Sequence, residues 1–236
     1  MKAVAERNGE GYVPDGRKSL VWHGEVADAL IVTARIAGGS EIGLFMVPRN
    51  AKGVTTTGYP TMDGLRAADV ALDGVKVAAD GLIEGGLSAL QHGFDHGIAA
   101  LCAEASGAME RLIEITAEYL RTRQQFGKPL GAFQALQHRM ADMLIQKELG
   151  LSMAYVAAQA LDEPDPRERT RRIAAAKVTV AKAGRYVGQQ AVQLHGGMGM
   201  TDELDVGDYF KRLTMFDPLF GDSDYQMSRY EEAAAQ

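Results

Sequence analysis

The sequence predicts an α+β protein, with a small antiparallel β-domain over residues 1–84 followed by a helical bundle over residues 85–236. Two observations predict this. Up to about Gly85 the apolar residues come in short, β-branched runs bounded by Gly and Pro, the pattern of strands and turns. From about Leu87 they recur at three- and four-residue steps over long stretches, the pattern of amphipathic helices. The composition, 236 residues with 46% hydrophobic and 24% charged, is that of an ordinary globular chain of one large or two smaller domains.

Taken in order, Ala29–Ile36 and Ile42–Pro48 read as strands joined at Gly38-Gly39-Ser40. Val54–Tyr59, Ala67–Leu72 and Val75–Val77 are further strand candidates, with a turn at Asp73-Gly74. The boundary falls near Leu82–Gly86. A first helix runs from about Leu87 to about Arg123, with Ile98, Leu101, Cys102, Ala105, Met109, Leu112 and Thr116 on its buried face. A second spans about Ala132 to Leu161. Two prolines place Asp162–Arg167 in a loop, so a third helix begins near Thr170 and reaches Leu194. Shorter helices are expected near Glu203–Thr214 and Ser223–Ala235.

Net charge and cysteine usage narrow the function classes. A charge of −6 argues against a nucleic-acid binder. The single cysteine, Cys102, excludes an internal disulfide framework; its apolar helical setting reads as a packed core thiol, and a reducing cytoplasm is expected. No metal is expected. No stretch approaches the ~20 apolar residues of a membrane span, and the first seven residues contain no apolar signal region.

Two stretches carry the chemistry. Gln193-Leu-His-Gly-Gly-Met-Gly-Met200 ends a helical pattern in two glycines, which expose backbone amides to a flat or phosphorylated ligand. Alone, that is an ordinary helix stop. About seventy residues earlier stands Arg121-Thr-Arg-Gln-Gln-Phe-Gly-Lys-Pro-Leu130, followed by Phe133-Gln-Ala-Leu-Gln137. Together the two stretches resemble the C-terminal four-helix bundle of the acyl-CoA dehydrogenases, flavoenzymes that desaturate acyl-CoA thioesters. Gly11–Lys18 resembles a hairpin of that family's β-domain, and Gly24–Asp28 resembles its Gly-x-x-Ala-Asp turn. The resemblance begins inside the β-domain and so covers the C-terminal two-thirds of such an enzyme.

The resemblance implies a site. Arg123, in the family's Arg-x-x-Phe-Gly motif with Gln125 and Phe126, would bind the FAD diphosphate across a subunit interface; a planar guanidinium suits phosphate oxygens. Gln193, Gly196 and Gly197 match residues that contact the adenosine-diphosphate part of FAD. His195 between them fits a packing or hydrogen-bonding role. Ser223 matches a hydroxyl near the flavin. Phe94 and Asp95 align with a region touching CoA, and equally fit an aromatic core residue and a solvated helix charge.

The same resemblance shows departures. The family's base is a Glu whose pKa burial raises. Counted from Lys211-Arg212, that position is Gly221, which would retain only a backbone N–H toward the thioester oxygen. The family's other base position, twenty-six residues before Arg123, is Gly97. Asp222 is a displaced candidate, or a helix N-cap. A Trp-Ile-Thr that packs on the flavin reads Leu20-Val21-Trp22 here. These changes resemble small subunits of heteromeric members, of the pimeloyl-CoA dehydrogenase small-subunit type. The expectations are an FAD-dependent acyl-CoA dehydrogenase or a subunit of one, or else a non-catalytic structural subunit stabilising a partner. Either would act in a homo- or hetero-oligomer, with acyl-CoA as substrate and an electron-transfer flavoprotein as electron acceptor.

Overall fold

The structure is a computed structural model that describes residues 2–235, and the chain divides into two compact units, residues 1–93 and 94–236. The first is a sheet built from β1 (Val4–Asn8), β2 (Gly11–Trp22), β3 (Ala29–Ile36), β4 (Ile42–Pro48), β5 (Val54–Pro60), β6 (Arg66–Leu72) and β7 (Leu82–Ile83). The spatial order is β5-β6-β2-β1-β3-β4-β7. Every pairing is antiparallel except β1 with β3, which is parallel. Alternation sets the core: Leu30, Val32, Ala34 and Ile36 of β3 point inward to Phe45, Val47, Val70 and Leu72.

Three features of this unit depart from the sequence reading. β1 was not anticipated. Gly11–Lys18 is no hairpin, because the chain reverses earlier, at Gly9-Glu10, and β2 then runs unbroken for 12 residues. β2 can be that long because it pairs with β1 over its first part and β6 over its second, with a register shift between Lys18 and Val21 where Leu20 takes φ +56°. Val75–Val77 forms only a single bridge, in which Val77 exchanges two 2.8 Å backbone bonds with Tyr12.

The second unit is helical: α1 (Gly86–Thr122), which begins in the first unit, α2 (Gln134–Ala160), α3 (Pro166–His195), α4 (Val206–Phe216) and α5 (Ser223–Ala234). The described residues thus give three long helices and two short ones, as the sequence predicts. The predicted face of α1, from Ile98 to Thr116, is buried throughout. Small residues let the helices approach closely: Met109 of α1 packs on Gly150 of α2, and Leu213 and Phe210 of α4 pack on Gly184 and Gly188 of α3. Cys102 is buried, and burial pushes its thiol up to about 12, so it is inert packing. α3 begins at Pro166 rather than Thr170. Proline is excluded from helix interiors but suits the first turn, and Asp165 caps it by accepting from the Arg167 N–H at 2.9 Å.

One core polar group ties α3 to α4. The ammonium of Lys177 is fully buried, lies over the Phe216 ring and donates to the carbonyls of Phe216 and Asp217 at 2.6 and 2.9 Å. Burial lowers its pKa from 10.5 to about 8. Between those values the unfolded chain binds more protons than the folded one, so this group makes stability rise with pH. We expect the wild-type chain to gain stability over Lys177→Met as pH rises from about 8 to about 10.5. Urea unfolding at the two ends of that window checks this, and a constant difference contradicts it.

Candidate functional site

Three helix ends of the second unit meet at one depression. α1 stops at Thr122, and the chain turns through β8 (Gln124–Gln125) and β9 (Lys128–Pro129). The turn residues Phe126 and Gly127 both have positive φ, +56° and +79°, as a tight two-residue hairpin requires. Phe126 is held out at 87% exposure, edge-on to Phe133 at 6.2 Å. α2 follows, its N-cap Phe133 offering no side-chain bond, so the positive end of this helix is uncapped. α3 ends when Gly196 takes φ +60°, and a short 3₁₀ turn carries the chain on.

The depression encloses about 680 Å³ and is lined by Arg123, Gln125, Gln193, Gly196, Gly197 and the first turn of α2, among others. Five of the residues singled out in sequence are thereby brought together. The Arg123 side chain is exposed and makes no ion pair among the described residues. Gly196 and Gly197 present bare backbone, with no atom within 4 Å of where a Cβ would stand. His195 also lines the depression; it is buried, with its ring 4.4 Å from that of Tyr119. Its Nδ1 lies 2.8 Å from the Ala191 carbonyl, which makes Nδ1 the protonated nitrogen. Nε2 is then an acceptor with no partner among the described residues. Desolvation by burial lowers the His195 pKa, keeping the ring neutral.

The remaining sequence candidates gather elsewhere in this unit, around the loop before α5. Asp222 is the N-cap of α5 and accepts from the Tyr225 N–H at 2.9 Å, so the capping alternative describes it. The Ser223 hydroxyl donates to Asp217 Oδ1 at 2.6 Å, and Asp217 Oδ2 pairs with Arg185 at 2.8 Å. Asp95 is neither a solvated charge nor open to a ligand. It is 1% exposed, 3.4 Å from Arg169 and 3.3 Å from Arg229. Phe94 stands at the surface, its ring 5.3 Å from that of Phe220.

Gly97 and Gly221, the glycines that the resemblance would place at base positions, are both covered by aromatic rings, which sequence reasoning missed. A Cβ on Gly97 would lie 2.8 Å from Phe220 Cζ. A Cβ on Gly221, where φ is +91°, would run into the Tyr225 ring. The available signal was the aromatic pair Phe220 and Tyr225 flanking Gly221. Gly221→Glu is therefore disfavoured by both backbone and neighbour. We expect Gly97→Ala to destabilise the chain by about 1–3 kcal/mol through overpacking. The loss should shrink when Phe220 is also replaced by Ala; a thermodynamic double-mutant cycle measures this, and strict additivity contradicts the contact.

Comparisons with known proteins agree with this architecture. Residues 84–235 match the family model for the acyl-CoA dehydrogenase C-terminal domain. The acyl-CoA dehydrogenase FadE27 of Mycobacterium tuberculosis is 30% identical over 240 residues, covering 98% of this chain and 63% of that protein. The mitochondrial 2-methylacyl-CoA dehydrogenase of Solanum tuberosum is 31% identical over 235 residues, covering 95% and 56%. Among solved structures, the ChsE4-ChsE5 complex from Mycobacterium tuberculosis superposes with a TM-score of 0.89 at 30% identity, covering 99% of this chain and 63% of that one. The chain thus spans 56–63% of the length of these proteins. On the family model and these relatives together, the chain belongs to the acyl-CoA dehydrogenase family.

Proposed function

We propose that the chain is a subunit of an FAD-dependent acyl-CoA dehydrogenase assembly, in which it holds part of a flavin site shared between subunits and leaves proton abstraction to a partner. The observation that carries this is the convergence of Arg123, Gln125, Gln193, Gly196 and Gly197 on one depression; glycine at 97 and 221, where the resemblance would place a base, supports it.

The residues present fit a dinucleotide. Two of the helix ends at the depression are C-termini, whose partial negative charge opposes a diphosphate. Arg123, free of internal acids, and the uncapped start of α2 supply the opposite charge. Bare glycine amides admit close approach, and the unpartnered His195 Nε2 suits a hydroxyl or amino donor of the ligand. FAD, when bound, supplies a hydride acceptor for the β-carbon of an acyl thioester. The chain's own residues bind and orient it. Phe126, exposed on its turn, would meet a neighbouring subunit. The electron acceptor of the assembly would be an electron-transfer flavoprotein.

The non-catalytic form of this reading is favoured over independent catalysis. Gly221 and Gly97 carry no side chain to take a proton, Asp222 caps α5, and Asp217 is held by Ser223 and Arg185. The single buried Cys102 fits the reducing cytoplasm we propose as its location. Among the described residues no helix is long and apolar enough to cross a membrane.

FAD affinity should depend on Arg123. A charge-assisted phosphate contact contributes about 1.5–3 kcal/mol, so Arg123→Ala should weaken FAD by about ten- to a hundredfold in a fluorescence titration. Unchanged affinity removes Arg123 from the site.

A further inference from the structure

We propose that Arg139 is a second cationic residue of the depression where α1, α2 and α3 meet, and that with Arg123 it sets a preference for ligands carrying two linked phosphates over ligands carrying one. The inference rests on the reading of the depression as part of a flavin site and deepens it. It names the charge pattern of the ligand and a residue outside both sequence stretches that pointed to the site.

The first support is placement. Ala135, Leu136 and Arg139 all line the depression. Arg139 follows the other two by four and three residues on α2, so one face of this helix forms that wall. A long helical side chain leans back toward the N-terminus of its helix, and in α2 that end is uncapped. Arg139 therefore reaches the depression from the α2 side, while Arg123 stands beside the end of α1. The Arg139 guanidinium is oriented by a neutral group: its Nη1 donates to Gln190 Oε1 of α3 at 3.1 Å. Gln190 fixes the fork without cancelling its charge, and leaves it further donors for a ligand.

The second support is charge. The chain carries 31 acidic residues against 25 lysines and arginines. Arginines on the surface of the helical unit are accordingly paired: Arg111, Arg121, Arg172 and Arg185, all exposed, each hold a carboxylate. Arg123 and Arg139 are exposed as well, yet neither makes an ion pair among the described residues. None of the described residues that line the depression is an acid. Two like charges gathered in one concavity repel each other, and an anion bound between them offsets that repulsion. The third support is a buried group beside them. His195, 3% exposed, lines the same depression, and its Nε2 has no partner among the described residues. A neutral acceptor next to two cations suits a ligand that is anionic in one part and offers N–H or O–H in another, as a nucleotide does. Two phosphates match two arginines, and a monophosphate leaves one guanidinium without an anion. Arg139 is thus a specificity residue, and Gln190 is its positioning residue.

The test is calorimetric titration of the 236-residue chain with ADP, AMP and FAD, comparing wild type with Arg139→Met, Arg139→Lys and Gln190→Leu. Wild type should bind ADP at least about tenfold more tightly than AMP, the effect of one charge-assisted phosphate contact. Arg139→Met should lose that preference: ADP weakens by about ten- to a hundredfold, AMP changes far less, and the urea midpoint stays where it was because the side chain is exposed. Arg139→Lys keeps the charge without the fork and should fall between the two. Gln190→Leu should narrow the ADP-to-AMP ratio less than Arg139→Met does. Equal binding of ADP and AMP by wild type overturns the inference, as does Arg139→Met binding ADP as tightly as wild type. If FAD affinity still depends on Arg123 in that second case, the flavin-site reading stands without Arg139. Arg139-dependent ADP binding by a chain that does not take up FAD would sustain the two-arginine site and count against the flavin-site reading. Failure of wild type to bind any of the three nucleotides overturns both.

Discussion

The helical unit depends on a carboxylate with almost no solvent. Asp95 sits near the start of the unit's longest helix and faces Arg169 on the first turns of α3 and Arg229 on α5. Removing such a charge from water is costly unless cations and hydrogen bonds surround it, so the helices that carry the two arginines must arrive in one arrangement. Stability alone would be served as well by apolar residues of similar volume. What the ion cluster adds is direction: Arg229 orients Gln226, and Gln226 fixes the carbonyl of Phe220.

From that cluster the two ends of the bundle take different roles. At the end where α1 and α3 stop, the packing of small residues leaves exposed backbone, an arginine with no ion pair among the described residues and an uncapped helix start around an open depression. Electrostatically this surface asks for an anion. Around the loop before α5 the polar groups are instead satisfied within the chain, by a cap on α5, a serine-aspartate bond and a buried lysine, and aromatic rings fill what glycine leaves open. One region leaves open backbone and charge, and the other is filled from within the chain, a contrast that supports the proposal of a subunit sharing a cofactor site.

Much of this was legible from sequence because helices announce themselves locally. The buried face of α1 follows directly from apolar spacing, and the glycines that end α3 mark its C-terminus. Arg123 and Gln193–Gly197 could be paired only through the family resemblance, since nothing in spacing says that two segments seventy residues apart share a surface. The parallel pairing of β1 with β3 was hidden for the same reason: it is a long-range contact between strands whose own patterns are ambiguous. Pro166 misled because proline's rule depends on position within a helix. Asp95 misled because burial of a charge is decided by partners on other helices. The rings that cover Gly97 and Gly221 were not visible, because the fold of the loop before α5 and its bond from Gln226 to the Phe220 carbonyl are tertiary features.

The central claim is that this chain holds flavin as part of a larger assembly. Sedimentation velocity recorded at both the protein and the visible flavin absorption bands tests it most directly, using the 236-residue chain with added FAD. The structure leads us to expect flavin absorbance moving with a species larger than a single chain, and losing that absorbance in Arg123→Ala. A soluble monomer at micromolar concentration that sediments without flavin would contradict it.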